Sequence, residues 1–175
     1  MTVTAQATIA LAIQSYLAEA ANLGIPAHNP NIKSLVSLAA GTGVGQVDIA
    51  WVGQRNIASA GTDAIDLNGT LKDAFGVNMA ILTLVGVIII NAPYDSTLAA
   101  NTTNLTIGAG ATPFLGLFGV ATGNMVLRPG GVFSAVCGGA GGLGTVTPGT
   151  ADLINIVNAA GAANNYQIGL LGRST

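Results

Sequence analysis

Short apolar runs, interrupted by glycine or proline every few residues, are the feature that most constrains how this chain can fold. The 25 glycines are spread along the whole sequence instead of being gathered in one segment. Many short strands joined by tight turns produce this pattern, whereas glycine and proline both disfavour helix interiors. The sequence therefore predicts an all-β fold of about ten short strands with little helix, as in a β-sandwich, a jelly roll or a barrel.

Alternating and continuous apolar segments give the predicted strand positions. Residues 2–17 fit either a strand through about Ile13, which we favour, or a helix with one stripe of Ile9, Ile13, Tyr16, Leu17 and Ala20. A connection over 18–33 follows, and the remaining strands are predicted at 35–39, 47–52, 56–67 (one strand or a pair), 79–91, 94–107, 114–120, 124–128, 132–138, 152–158 and 165–171. The last two alternate well and predict a hairpin. The segment 66–76 is rich in turn-forming residues and predicts a loop.

The segment 79–91 is the most apolar of these strands and contains the run VIII. Such a continuous run predicts burial on both faces of a central strand. Full burial of an isoleucine stabilises the fold by about 1.5–3 kcal/mol, so we expect this strand to anchor the core. The domain organisation that follows is an N-terminal strand or arm with a connection over 1–34, and a β-sandwich over 35–175.

Charged side chains are scarce, at 7% of the residues against about 25% in an ordinary soluble domain. A surface with so few charges predicts a protein whose neighbours cover it. The net charge of −2 provides no basic footprint, so we expect no nucleic-acid partner. The 14-residue apolar stretch from Met79 to Ala92 is shorter than the ~20 residues of a spanning helix, so no membrane partner is expected. No lysine or arginine precedes the first apolar stretch, which argues against a secretory signal.

Two glycine-rich segments, GTGVGQ at 41–46 and GGAGGLG at 138–144, have the appearance of phosphate-binding loops. The first lacks GxGxxG spacing and a following helix, and the second lacks the Lys-Ser or Lys-Thr of a Walker loop, so both are interpreted as turns. The single histidine, His28, lies in a Pro/Asn-rich connection with no ligand-spaced or catalytic partner. Cys137, in an apolar stretch, is interpreted as a small buried hydrophobe. We therefore predict no catalytic residue, cofactor or metal site.

Asp63, Asp66 and Asp73 are close enough in sequence to hold a hard cation such as calcium, but their spacing is not that of an EF-hand. Aspartate at such positions more often caps turns through local hydrogen bonds, and this is the interpretation we favour. Trp51 lies on a predicted strand, where tryptophan is usually a core or interface anchor.

Several segments together resemble a diffuse family of small virion structural proteins of tailed phages. These are VDIAWVGQRNIASAGTDAIDLNGTLKDAFG (47–76), ILTLVGVIIINA (81–92), MVLRPGGVF (125–133) and VTPGTADLINIVNAAGAANNYQIGLLGRS (146–174). The resemblance covers about two-thirds of the chain, and the N-terminal 35 residues fit it least. It implies a β-sandwich of jelly-roll type and a role as a capsid decoration (cement) protein or as a tail or fibre component.

The function we expect is that of a structural protein and not of an enzyme: a cement protein on the outer surface of the phage head. Its predicted partners are other copies of itself in a homotrimer, and the major capsid protein or other virion subunits. Trp51, Arg55 and Arg128 are the candidate contact residues, because tryptophan and arginine are enriched in interface hot spots. The alternatives are a tail, fibre or receptor-binding component, a glycan-binding β-sandwich module and, with only one histidine and few carboxylates, a hydrolase or lyase on a β scaffold.

Overall fold

The computed structural model describes residues 7–14, 17–18, 27–28, 31–73 and 76–175, and this part of the chain is all-β with no helix. The chain forms two compact units, a small one at Thr8–Ser37 and a larger one that contains Leu38–Thr175. The all-β prediction is confirmed.

The small unit is made of short strand ladders. Strand β1 (Ala7–Gln14) pairs with β4 (Asn31–Ala40), and β2 (Leu17–Ala18) pairs antiparallel with β3 (Ala27–His28). The predicted N-terminal strand is found at β1, while residues 2–6 lie outside the described part. The predicted connection over 18–33 is wrong in part, because β3 and the start of β4 fall inside it.

The larger unit contains the end of β4 and all later strands. In chain order these are β5 (Gln46–Val47), β6 (Ile49–Ile57), β7 (Thr62–Asp66), β8 (Asn68–Lys72), β9 (Asn78–Ala80), β10 (Thr83–Ile90), β11 (Leu105–Gly108), β12 (Asn124–Leu127), β13 (Val132–Val136), β14 (Gly144–Thr145), β15 (Leu153–Asn158) and β16 (Asn164–Arg173). The GTGVG segment at 41–45 is a turn, as predicted, and β5 pairs parallel with the end of β4 after it.

Two antiparallel sheets dominate this unit. Sheet I has the strand order β13-β10-β16-β6, with β14 also pairing β10, and sheet II has the order β12-β11-β15-β7. Their inner faces contribute to one apolar core, in which Tyr166, Ile168 and Leu170 of sheet I join Ile154 and Ile156 of sheet II. All five side chains are buried, because strand alternation turns every second residue of β15 and β16 inward.

The chain alternates between the sheets at nearly every connection. Among consecutive strands of the two sheets, β11 and β12 pair with each other in sheet II, whereas β15 lies in sheet II and β16 in sheet I. The predicted hairpin of the last two strands is therefore wrong. Alternation indicates which side chains of a strand share a face. Both sheets face the same core, so alternation does not specify which sheet each strand joins.

Two local predictions are also corrected. The predicted loop over 66–76 contains β8, which pairs with β9. The predicted strand over 114–120 is a turn, in which the Gly119 amide donates to the Leu115 carbonyl at 2.7 Å and Gly119 has a φ of 74°. Its glycines allow the chain to fold back, and Phe114 is buried in the core.

Strand β10 lies between β13 and β16, as expected for the strand that anchors the core. Its predicted burial on both faces is confirmed over residues 84–87, which are all buried. It is wrong at the VIII run, since Ile89 is fully buried whereas Ile88 is 39% exposed. Among the described residues, no helix is long and apolar enough to cross a membrane.

Candidate docking surface

The outer face of sheet I carries no ionisable side chain over three rows of four paired residues. The backbone register aligns Val136, Gly86, Leu171 and Ala50 in the first row, Ser134, Ile88, Gly169 and Val52 in the second, and Val132, Ile90, Gln167 and Gln54 in the third. We call these twelve residues the outer rows. Strand alternation places them opposite the buried inner face. Gly86 and Gly169 are buried, and the other ten residues are exposed or half-buried, so the sheet presents an uncharged surface with two recessed positions.

A groove crosses the outer rows at Gly169. A Cβ atom at this position would lie 3.0 Å from Ile88 Cγ2 and 3.5 Å from Val52 Cγ1, so the missing side chain leaves the space between those neighbours open. The groove encloses about 340 Å³, and its walls are almost entirely apolar. Tyr94, four residues beyond the end of β10, closes one side of it.

The most exposed large apolar side chains of the described surface both border this groove. Val52 is 83% exposed and Tyr94 is 81% exposed. Exposed apolar side chains that are grouped in one place mark interaction sites, whereas scattered ones are normal. The groove and its borders are therefore the strongest candidate contact surface on sheet I.

The polar side chains at the groove are already bonded within the chain. Gln54 Oε1 accepts a hydrogen bond from the Tyr94 amide at 2.8 Å, and Gln167 Nε2 donates to the Ala92 carbonyl at 3.1 Å. These bonds hold the segment after β10 against the sheet. Each bond occupies one of the two polar amide atoms of its glutamine.

The outer face of sheet II is uncharged along its central row as well. The register aligns Val126, Thr106, Val157 and Thr62 across the four strands. Val126 is 53% exposed and Val157 is 36% exposed. Both outer faces therefore combine small polar and aliphatic side chains.

Several of the few charged side chains are withdrawn from the surface. Asp152 and Arg173 are buried, with 5% and 3% of their surfaces exposed. Arg173 donates to the carbonyls of Gly139 and Gly43, at 2.6 and 3.2 Å, and so connects the two glycine-rich segments. The surface of the larger unit is consequently even less charged than its composition indicates.

Arg55, a predicted contact residue, is engaged inside the chain. Its Nε donates to Asp63 Oδ2 at 2.7 Å and its second terminal nitrogen donates to Asp63 Oδ1 at 2.6 Å. This two-point bond to Asp63 raises the pKa of the Arg55 guanidinium above its usual value. Asp63 belongs to β7, so the ion pair connects sheet I with sheet II.

The other two predicted contact residues lie apart, one in sheet I and one just beyond a strand of sheet II. Trp51 points inward from β6 and packs, half-buried, against the core. Arg128 is exposed directly after β12. Their role in contacts stays a prediction.

Two of the three candidate aspartates cap turns, as predicted. The Asp66 carboxylate accepts from the amides of Asn68 and Thr70 at 3.0 and 3.1 Å. Asp73 Oδ1 accepts from the Val77 amide at 2.9 Å. Within the described residues, no three histidine, cysteine, aspartate or glutamate side chains are grouped as a metal site would require.

The remaining sequence candidates have structural positions. His28 pairs with Leu17 through the β2–β3 ladder. Cys137 is a half-buried free thiol. The two glycine-rich segments lie together, with the Gly45 amide donating to the Gly138 carbonyl at 2.8 Å.

Sequence reasoning missed the outer rows. A signal was present in β6, where the outward residues Ala50, Val52 and Gln54 are all uncharged. The alignment of these residues with β16 and β10 depends on strand pairing, which alternation alone does not supply.

No protein-family model, curated protein or solved structure matches this chain. The resemblance to phage virion proteins therefore stays a prediction.

Proposed function

We propose that sheets I and II form a β-sandwich of the jelly-roll type. Of its eight strands in chain order, the first pairs with the eighth (β6 with β16), the second with the seventh (β7 with β15), the third with the sixth (β10 with β13) and the fourth with the fifth (β11 with β12). Rolling one long antiparallel hairpin across a core produces these pairs. Jelly rolls occur in viral capsid domains and in lectins, so this fold admits both an assembly role and a binding role.

We further propose that the protein is a virion structural protein of a tailed phage, acting as a capsid decoration or cement protein on the head. One observation carries this proposal: the outer rows present twelve paired residues without an ionisable side chain, and an apolar groove lies among them. A freely diffusing protein is kept soluble by charges spread over its surface. A subunit covered by its neighbours needs no such charges.

The proposed mechanism is mass action. A protein that binds the assembled shell more tightly than its separate subunits shifts the equilibrium toward the shell. The partners in this proposal are the major capsid protein or other virion subunits, and further copies of the chain in a homotrimer. Each trimer interface would need to bury about 1,000 Å² or more.

A receptor-binding tail component or a glycan-binding module is the second candidate, and the exposed ring of Tyr94 favours it. Sugar hydroxyl groups need several free polar partners. Gln54 and Gln167 each have one amide atom bonded inside the chain, and the groove walls are almost entirely apolar. These contacts support a protein surface as the occupant in preference to a sugar.

The test uses heads of the encoding phage that were assembled without this chain. Purified protein is mixed separately with such heads and with isolated tails, each mixture is sedimented, and head disruption is followed on heating. We expect the protein to sediment with heads and to raise the temperature at which they open. Sedimentation with tails alone, or binding to a glycan array without binding to heads, would contradict the proposal.

A further inference from the structure

We propose that the outer rows of sheet I are the surface through which a second copy of this chain docks. The inference rests on the assembly role in the proposed function. Because the same face meets itself, it pairs two copies about a two-fold axis, so it is a contact distinct from those within the proposed homotrimer. Its basis is the register that aligns Val52, Gly169 and Ile88, together with the exposed ring of Tyr94 beside them.

Charge selects the occupant. A surface without ionisable groups forms no ion pair with a charged partner. Binding such a partner would remove water from the partner's charges without providing a counter-charge, which is unfavourable. The outer rows of a second copy are themselves uncharged, so two copies meet without desolvating any ionised group. A face specific for a basic or acidic partner would carry charges of the opposite sign. These twelve positions carry none.

Shape favours the same occupant. Val52 projects beside the groove floored by Gly169, so one face carries both a protruding aliphatic side chain and a recess bordered by Ile88 and Tyr94. Sheets that pack face to face interdigitate side chains of this kind at a separation of about 10 Å.

The area determines how strong the association is. Four strands about 4.8 Å apart and three rows about 6.8 Å apart cover about 400 Å² of projected sheet in each copy. Two such faces give about 800 Å², below the ~1,200 Å² at which stable specific complexes begin. We therefore expect weak, reversible association in solution, which becomes complete where copies are held close together on a shell.

The test is sedimentation velocity of the full chain over about 1–200 µM, the range in which weak interfaces associate. For the unmodified chain, we expect the average mass to increase above 17.2 kDa as the concentration is raised, and to return to that value on dilution. Val52→Lys places a charge in the contact and is expected to weaken association at least tenfold. Val126→Lys is the matched control on the outer face of sheet II and is expected to leave association unchanged.

Tyr94→Ser changes a second highly exposed position of the same surface and is also expected to weaken association. It serves as the test variant if Val52→Lys lowers the yield of folded protein. A chain that stays monomeric throughout, or Val52→Lys and Tyr94→Ser proteins that associate as the control does, overturns the inference. Head binding by a chain that does not self-associate would refute the inference alone. Self-association through this face without head binding would refute the cement function alone.

Discussion

The hydroxyl of Tyr166 in sheet I donates a hydrogen bond to Asp63 Oδ2 in sheet II, at 3.0 Å. The same carboxylate accepts two hydrogen bonds from Arg55, the direct strand neighbour of Tyr166. Tyr166 is fully buried, so its hydroxyl needs a partner inside the protein. The three side chains form a charged and polar link between the two sheets.

Stability at alkaline pH should report on Tyr166. Burial, and next the charge of Asp63, raise the pKa of its phenol above the usual value near 10. Above about pH 10 the unfolded chain releases this proton while the folded chain keeps it, so the stabilisation is complete below that pH and declines as the pH rises. We expect urea unfolding of Tyr166→Phe between pH 7 and 11 to show a shallower alkaline decline than the unmodified protein. An equal alkaline slope for Tyr166→Phe and the unmodified protein would refute this assignment.

Removal of the carboxylate at the centre of the link should be costly. Asp63→Ala leaves the Tyr166 hydroxyl buried without its acceptor and the Arg55 guanidinium without its counter-charge. Hydrogen bonds to charged groups contribute about 1.5–3 kcal/mol each, so we expect the free energy of unfolding to fall by at least about 2 kcal/mol.

A double-mutant cycle of Asp63→Ala with Tyr166→Phe measures the coupling free energy between the two residues, which should exceed about 0.5 kcal/mol for residues in contact. Additive effects would mean that the two sheets are not linked through this bond. Asp95→Ala, at a fully exposed carboxylate bonded to Thr97, is the control with a much smaller expected effect.

The positions of many strands could be predicted from the sequence. Strand β11 ends at the predicted LTIG, and β12 and β13 lie on either side of the predicted PGG turn. Alternation identified these segments because each sheet buries one face and exposes the other. The same reasoning failed over 114–120, where Phe114 and Leu117 contact the core from a turn instead of from a strand.

The candidate surface could not be predicted, because it depends on which strands are neighbours. Ile88 was expected to be buried, since an uninterrupted VIII run is typical of a strand covered on both faces. Its neighbour Gly169 provides no side chain to cover it, and Val52 stands one strand further away. Local sequence describes a strand's two faces, whereas the pairing of distant segments decides what lies beside them.

A buried amide network should make one end of the sandwich sensitive to substitution. Asn91 Nδ2 donates to the carbonyls of Thr103 and Leu127, and Asn91 Oδ1 accepts from the amides of Asn101 and Asn164. Asn91→Leu removes these four hydrogen bonds, each with a net contribution of about 0.5–1.5 kcal/mol. The Thr103 carbonyl and the amides of Asn101 and Asn164 keep other partners within the network. We expect chemical denaturation to show a loss of about 3 kcal/mol or more, and Asn104→Ala, at an exposed position on the same segment, to change stability by less than about 0.5 kcal/mol. A small effect at Asn91 would mean that water replaces its bonds.

Two adjacent glycines in GGAGGLG give a matched test of its interpretation as a structural turn. Gly142 has a φ of 55°, and a Cβ atom there would lie 2.3 Å from the Leu84 carbonyl oxygen. Because backbone, unlike a flexible side chain, cannot move aside, Gly142→Ala is expected to cost well over about 1 kcal/mol in the free energy of unfolding. A Cβ atom on Gly141 would meet nothing within 4 Å, so Gly141→Ala is expected to be neutral or slightly stabilising. Thermal and urea unfolding of the two variants decide the matter: equal stabilities would show that the tight approach of Gly142 to strand β10 does not constrain the turn.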